Sequence, residues 1–279
     1  MLIRQVALVS QTDKISFSAL SRVSAALQTQ VTRDLAPIWE VSATVDSFAN
    51  LSDVPVGYWT VTIAEEDLGD AAGIHEDKDG QPFALVQYSY GWSLTASHEC
   101  LEMLVDPFGN RLIAGQSPMQ GQGNVEFLVE VCDPSEDAAY AYQVNGILVS
   151  DFYTPDFFAP QPAPSVRYSF TGGIKGPLQV LKKGYMSWHD PVSDEWFQET
   201  FFDNAPSFRS LGKLTANPKE NLRGLLYRHT PERIAAKKTP LKASGLTKAK
   251  ASVKTQAKAA EAKAKALQRR INEVVRQFK

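Results

Sequence analysis

A histidine, two glutamates and an aspartate are spaced along one short stretch so that they can act together on a metal ion. Residues 95–107 read TASHECLEMLVDP and contain His98, Glu99, Glu102 and Asp106. In a helix, His98 and Glu102 lie one turn apart on the same face. Zinc accepts imidazole nitrogen and carboxylate oxygen, and catalytic zinc sites use three protein ligands and a water. We therefore predict His98 and Glu102 as ligands of one zinc ion, with another divalent metal as the alternative.

Glu99 has the position that a general base takes in zinc proteases. In the signature H-E-x-x-H, the glutamate after the first histidine removes a proton from the metal-bound water. Here Glu102 stands where the second histidine would be, and this extra carboxylate favours a harder ion. The alternative interpretation is an ordinary amphipathic helix with a solvated acidic face, because a bare H-E-x-x-E string is common.

The elements before this stretch would form the frame that positions it. We predict strands over residues 5–10, 41–49, 57–64 and 82–90, and a helix over 16–39 that Ser16 or Ser18 caps. Residues 65–81 are acidic and glycine-rich and are predicted as a loop. The motif helix is predicted over 93–105 and ends before Asp106-Pro107. This order is that of the zincin metalloprotease fold, in which a sheet backs a helix that carries the metal ligands.

The motif itself resembles a known family. The residues Ser97-His98-Glu99, Leu101-Glu102 and Asp106-Pro107 are similar to the S-H-E-x-L-E-x-x-x-D-P core of a family of uncharacterised bacterial and phage proteins. These proteins are regarded as zincin-like metallopeptidases. The likeness covers about residues 1–200 and includes further matching segments: 73–77, 79–82, 130–134, Tyr142 and 145–152. It implies a peptidase-like metal site and identifies no substrate; the predicted activity would act on an unspecified polypeptide.

A third metal ligand would come from downstream of the motif helix, as in zincins whose third ligand is a glutamate. Glu130 is the first choice, because a predicted strand over 124–132 places it on the face opposite the valines. Asp106 is the second choice and Asp133 the third, and for each an ordinary surface acid is the alternative. Cys100 and Cys132 are better explained as core residues. His75, in the predicted loop, is a candidate for contact with substrate or an exposed turn residue.

The rest of the chain is predicted to be β-rich and to end in a basic tail. Asn145-Gly146 indicates a hairpin, and a second hairpin is expected to turn at residues 190–194. We divide the chain into a zincin-like domain at 1–165, a β-rich extension packed on it at 166–229, and a tail at 230–279. The predicted fold class is α+β, with a twisted mixed sheet, a metal-site helix and a partly helical tail.

The charge is distributed unevenly along the chain. Residues 1–230 contain 15 basic and 28 acidic residues, a balance of −13, whereas residues 231–279 contain 14 and 3, a balance of +11. Such a tail could bind nucleic acid without reading its sequence, or an acidic partner, or simply remain solvated. The cations that we predict for this contact are Lys248, Lys250, Lys254, Lys258, Arg269 and Arg270.

The composition bears on the compartment in which the protein is expected. No uninterrupted apolar run approaches about 18 residues, so no membrane span is expected. The N-terminus lacks the pattern of a signal peptide, and two cysteines do not make a disulfide framework. We therefore expect a cytoplasmic protein, or a virion-associated one if it derives from a phage. The predicted function is metal-dependent peptide hydrolysis. The competing hypothesis is a non-catalytic phage or mobile-element protein that keeps the fold for binding or assembly.

Overall fold

The chain folds as a mixed structure in which two five-stranded sheets contribute to one core. A computed structural model describes residues 3–66, 68, 71–215 and 221–230. The strands are β1 (Arg4–Ser10), β2 (Ala43–Phe48), β3 (Trp59–Ala64), β4 (Gly73–Lys78), β5 (Gln81–Gln87), β6 (Leu112–Gln116), β7 (Asn124–Leu128), β8 (Tyr142–Val144), β9 (Ile147–Val149), β10 (Tyr185–Asp190), β11 (Glu195–Thr200) and β12 (Ser207–Gly212). The helices are α1 (Phe17–Thr29), α2 (Ala36–Trp39), α3 (Trp92–Val105) and α4 (Leu222–Arg228). The predicted α+β class is confirmed.

The first sheet has the strand order β2-β1-β3-β5-β4. β1, β2, β3 and β5 run parallel, and β4 pairs with β5 in the antiparallel direction at the edge. The four strands and the motif helix predicted in this half are confirmed to within a few residues. The predicted loop at 65–81 is wrong for residues 73–78, which form β4. Its outward side chains are charged, which is common for an edge strand and hides the strand pattern.

The predicted helix over 16–39 is one continuous helical segment of three parts. Ser16 caps α1, since its side chain accepts a hydrogen bond from the backbone N–H of Ala19 at 3.2 Å. The segment Gln30–Leu35 between α1 and α2 is π-helical. Such a widened turn is rare and is found mostly at functional sites. Here it turns the buried Gln30 side chain toward α3.

The second sheet is antiparallel and has the order β12-β11-β10-β7-β6. β10 and β11 form the hairpin expected to turn at 190–194, and β8 and β9 form the hairpin at Asn145-Gly146. Both of these turn residues have positive φ, 52° for Asn145 and 78° for Gly146, as the tight turn requires. β6 was not among the strands predicted from the sequence.

The described residues all lie in one compact unit. β7 pairs with β10, so strands from both sides of residue 165 share a sheet, and the boundary at 165 stays a prediction. The tail from residue 231 lies outside the described residues. No helix within the described ranges is both long and apolar enough to cross a membrane.

Candidate metal centre

The motif helix α3 is buried over most of its length. It contacts β3, β4 and β5 of the first sheet on one side and β9 on the other. The exposed fraction is 6% for His98, 1% for Glu99 and 0% for Glu102. The alternative interpretation of a solvated acidic face is therefore wrong. Burial of ionisable groups at this density needs compensation by partners or by a bound cation.

A hydrogen-bond network fixes the helix just before His98. The Ser97 hydroxyl donates to Oε1 of Gln30 at 2.8 Å and accepts from the backbone N–H of Ser150 at 2.9 Å. The Gln30 amide donates in turn to the carbonyl oxygen of Ser150 at 2.9 Å. The π-helical segment, α3 and the strand-end after β9 are thus joined at one buried point, so the His98 backbone has a fixed position.

The side chains of Glu102 and Asp133, which come from two parts of the chain, converge at the imidazole of His98. Its Nε2 lies 3.3 Å from Oε2 of Glu102 and 3.2 Å from Oδ1 of Asp133. Asp133 begins a short 3₁₀ turn, Asp133–Ser135, that follows the second-sheet strand β7. Oxygen atoms of Glu102 and Asp133 also lie within 4.8 Å of each other. Zinc bonds of about 2.0–2.1 Å in a tetrahedron give ligand separations of about 3.3–3.4 Å, so the two distances at His98 match a zinc site. Among the described residues, the groups of three possible ligands that include His98 place it with Glu102 and Cys132 or with Asp133 and Glu136.

A second group lies beside the first and shares Glu102. His75 is completely buried, and its Nδ1 lies 3.6 Å from Oε2 of both Glu99 and Glu102. The expectation of an exposed turn histidine in a loop is wrong, because β4 carries His75 inward; its contact with substrate stays a prediction. Gly73 allows this close approach, since a Cβ there would lie only 2.7 Å from Cγ and Oε1 of Glu99.

Arg223 supplies a positive charge that the sequence did not lead us to expect. Its Nη2 donates to Oε2 of Glu102 at 2.9 Å and lies 3.7 Å from Oε2 of Glu99, while its Nε pairs with Glu130. The guanidinium is buried among these three carboxylates. It comes from α4, 121 residues after Glu102, and no local pattern marks such a distant partner.

The other predicted ligands have different surroundings. Glu130 is buried and lies within 4.8 Å of Glu102 and Asp133 by ligand atoms, but its Oε2 pairs with Arg223. Asp106 ends α3, and its Oδ2 accepts a hydrogen bond from the backbone N–H of Arg111 at 2.8 Å. Among the described residues, Asp106 belongs to no group of three metal-binding side chains.

The two cysteines also differ. Cys132 lies near His98 and Glu102, and its backbone N–H donates to Oε1 of Glu102 at 3.2 Å, which orients that carboxylate. Cys100 is a core residue, as predicted, and burial raises the pKa of its thiol to about 12.

The pKa values of two carboxyl groups in the cluster, Glu99 and Glu130, shift in opposite directions. Burial acts to raise the pKa of Glu99, but Arg223, His75 and His98 outweigh it and hold that pKa at about 2. Burial raises the pKa of Glu130 well above its usual value, and nearby Glu102 and Asp133 add to this against Arg223. Burial acts to lower the pKa of His98, but Glu102 and Asp133 outweigh it and raise that pKa.

Several buried polar atoms in the cluster lack a well-formed hydrogen bond to any described residue. They are Nδ1 and Nε2 of His75, Nε2 of His98, Oε2 of Glu99 and Oε1 of Glu130. Three carboxylates, from Glu99, Glu102 and Glu130, share one arginine. Imidazole nitrogens and carboxylate oxygens left in this state are the donors that zinc uses. The residues present therefore fit a zinc ion.

The site is closed to large molecules. Two cavities of about 10 Å³ each border Glu130 and Asp133. Each has room for about one water molecule. Neither cavity admits a peptide, so a substrate could reach Glu99 only after part of the structure moves.

One further histidine, His189, lies on strand β10. His189 pairs with Glu126 at 3.0 Å and with Asp194 at 3.3 Å on the second sheet. The predicted tail cations lie outside the described residues: Lys248, Lys250, Lys254, Lys258, Arg269 and Arg270. In comparisons with known proteins, no family model, no curated protein and no solved structure matches this chain.

Proposed function

We propose that this chain is a zinc-dependent peptidase with a zincin-like fold. In this proposal His98, Glu102 and Asp133 hold the ion and Glu99 is the general base. The observation that carries it is the pair of short distances from Nε2 of His98, 3.3 Å to Oε2 of Glu102 and 3.2 Å to Oδ1 of Asp133. Each separation suits two ligands of a tetrahedral zinc ion with bonds of about 2.0–2.1 Å.

The order of the elements supports the zincin-like assignment. A strand, a helical segment and four further strands precede α3, and the sheet that they form lies against it. The ligands on α3 are one turn apart, and the third comes from the segment after β7. In zincins, too, a sheet backs a helix that carries metal ligands. Likeness of fold alone does not establish an activity, so the proposal depends on the ligand geometry.

Asp133 is a better third ligand than Glu130 for a structural reason. Glu130 already pairs with Arg223, whereas Asp133 has an oxygen 3.2 Å from Nε2 of His98. Asp106 is engaged with the backbone of Arg111 beyond the end of α3. The first two sequence-based choices are therefore less suited to the ion than the third.

Glu99 lies next to the proposed ligands, where it could exchange a proton with a water molecule bound to the ion. A bound zinc ion would lower the pKa of a water molecule to about 7 and polarise the carbonyl group of a peptide. Glu99 would accept the proton of that water at Oε2 and deliver it to the leaving amine nitrogen. His75, 3.6 Å from the same oxygen, would keep this carboxylate directed toward the ligands.

The proposal is tested by separating metal binding from turnover. Glu99→Gln should retain one zinc per chain, measured by elemental analysis, and lose at least about 100-fold in the rate of fluorescein-casein hydrolysis, since general bases contribute about 10²–10⁴-fold. The matched control is Glu126→Gln, at a partly exposed carboxylate on β7 outside the cluster. Casein hydrolysis at the wild-type rate by Glu99→Gln would refute the role of Glu99 as the base.

A non-catalytic binding protein of phage or mobile-element type is the second candidate, and the burial of Glu99 favours it. Its basic tail would contact nucleic acid through phosphates, with an affinity that falls steeply with salt. Full-length chains with the six tail cations changed to Gln should then lose DNA binding in a mobility-shift assay. Wild-type protein that binds zinc, hydrolyses no casein and binds DNA would support this candidate over the peptidase.

A further inference from the structure

The helix α4 forms the wall between the acid cluster and the outside. Arg223, Leu226, Tyr227 and Thr230 line the small cavity that borders Glu130 and Asp133. Arg223, Leu225 and Leu226 are the buried residues of this seven-residue helix. The element that supplies the guanidinium is therefore also an element that closes the site.

The Arg223 guanidinium lies beside the proposed ligand Glu102 and the proposed base Glu99, where a metal ion would bind. It donates to Oε2 of Glu102, the same oxygen that lies 3.3 Å from Nε2 of His98, and it lies 3.7 Å from Oε2 of Glu99. A guanidinium there repels a second cation and holds the proposed base in an ion pair. Both effects oppose zinc binding and proton transfer at this cluster.

The attachment of α4 is separate from the main core. Leu226 packs with Leu128 and Trp196 in a small satellite cluster, to which Leu222 also belongs. Its polar attachment includes the Arg223 ion pairs, and the backbone N–H of Arg223 donates to the carbonyl oxygen of Gly109 at 3.0 Å. No α4 residue is part of the large apolar cluster of the two sheets, so withdrawal of α4 would break these ion pairs and the satellite cluster but would leave the apolar core closed.

We propose that α4 is an inhibitory cap, which closes the site and places Arg223 where it competes with the metal ion. Withdrawal of the helix would expose Glu99 and Glu102 and free both carboxylates from the guanidinium. This inference rests on the proposed peptidase function and adds its regulation. The chain as described is thus the closed form of the site, in which zinc binding and turnover are held down but not abolished.

Two variants of the full chain test the cap from different sides. Arg223→Gln removes the competing charge, and Leu226→Ala loosens the apolar attachment while Arg223 stays. Each should bind zinc at least tenfold more tightly than the wild type in competition with a chromogenic chelator, and hydrolyse fluorescein-casein at least tenfold faster. Arg228→Gln, at an exposed arginine of the same helix, is the matched control and should behave as the wild type.

The outcomes separate this inference from the proposed function. Folded variants that bind zinc and hydrolyse casein no better than the wild type would overturn the cap and leave the peptidase proposal standing. The absence of zinc from every chain, the wild type included, would overturn both. Loss of folding in Leu226→Ala, seen by circular dichroism, would also overturn the cap, because it would show that α4 is integral to the core. If only Arg223→Gln fails to fold, the zinc affinity and the casein rate of Leu226→Ala decide whether α4 is a cap.

Discussion

Replacing Asp133 by Asn should remove one metal ligand with little change in shape. The structure puts Oδ1 of Asp133 3.2 Å from Nε2 of His98, so a charged ligand oxygen becomes a neutral amide at the same place. Zinc sites with four ligands bind with about 10–16 kcal/mol. One ligand then contributes about 2.5–4 kcal/mol, so we expect the dissociation constant for zinc to rise by about 10²–10³-fold.

The assay is competition for zinc with a chromogenic chelator at pH 7.5, with folding checked by circular dichroism. Two matched amide substitutions serve as controls within the same acidic region. Glu130→Gln removes a partner of Arg223, and Asp106→Asn changes a carboxylate that caps a backbone N–H. Both should cost about tenfold at most, the lower end of the 10–100-fold range for residues that only support the ligands.

Two results would refute this reasoning. A dissociation constant for Asp133→Asn within threefold of the wild type would show that Asp133 is not a ligand. If Glu130→Gln weakens zinc binding by about 10²–10³-fold and Asp133→Asn does not weaken it, Glu130 is the third ligand instead. The comparison therefore decides between the first and third sequence-based choices.

Three further predictions follow from local geometry. Gly73→Ala should displace the Glu99 side chain, because the new Cβ would lie 2.7 Å from Cγ of Glu99; casein hydrolysis should fall at least about tenfold with zinc retained, and an unchanged rate would contradict this. Ser97→Ala leaves two buried partners unsatisfied, Gln30 and the Ser150 N–H, and should lower the free energy of unfolding in urea by about 2–4 kcal/mol. Burial raises the pKa of Glu199 from 4.5 to about 7. The contribution of the protonated carboxyl to the free energy of unfolding is therefore complete below pH 4.5 and is lost as the pH rises through 7. A pKa difference of about 2.5 corresponds to at most about 3.4 kcal/mol, and Glu199→Gln should raise the unfolding free energy by about 1–3 kcal/mol at pH 8 but not at pH 4.5. Equal differences at both pH values would contradict the assignment.

The parts of the fold that the sequence predicted are those with strong local patterns. α3 has an apolar stripe and a terminating Asp106-Pro107, and the hairpin at Asn145-Gly146 has the turn residues that positive φ requires. β4 was missed because its outward residues are charged and glycines flank it. A local signal was present, since Asp79 and Gly80 both have positive φ and form the tight turn between β4 and β5.

The candidate site could be predicted only in part. His98, Glu99 and Glu102 share one helix, so spacing alone brings them together. Asp133 and His75 come from other elements, and their positions depend on how the second sheet and the edge strand pack on α3. Arg223 had no local signal at all, because its role comes from an ion pair with a helix more than a hundred residues earlier in the chain.

The central claim is that His98 is a ligand of a zinc ion, and the most direct measurement is the metal content of purified protein. Wild type and His98→Ala, each supplied with zinc and then passed over a desalting column, would be compared by elemental analysis. We predict close to one zinc per chain in the wild type and almost none in His98→Ala, with both folded by circular dichroism. Equal zinc in the two proteins, or none in the wild type, would contradict the account.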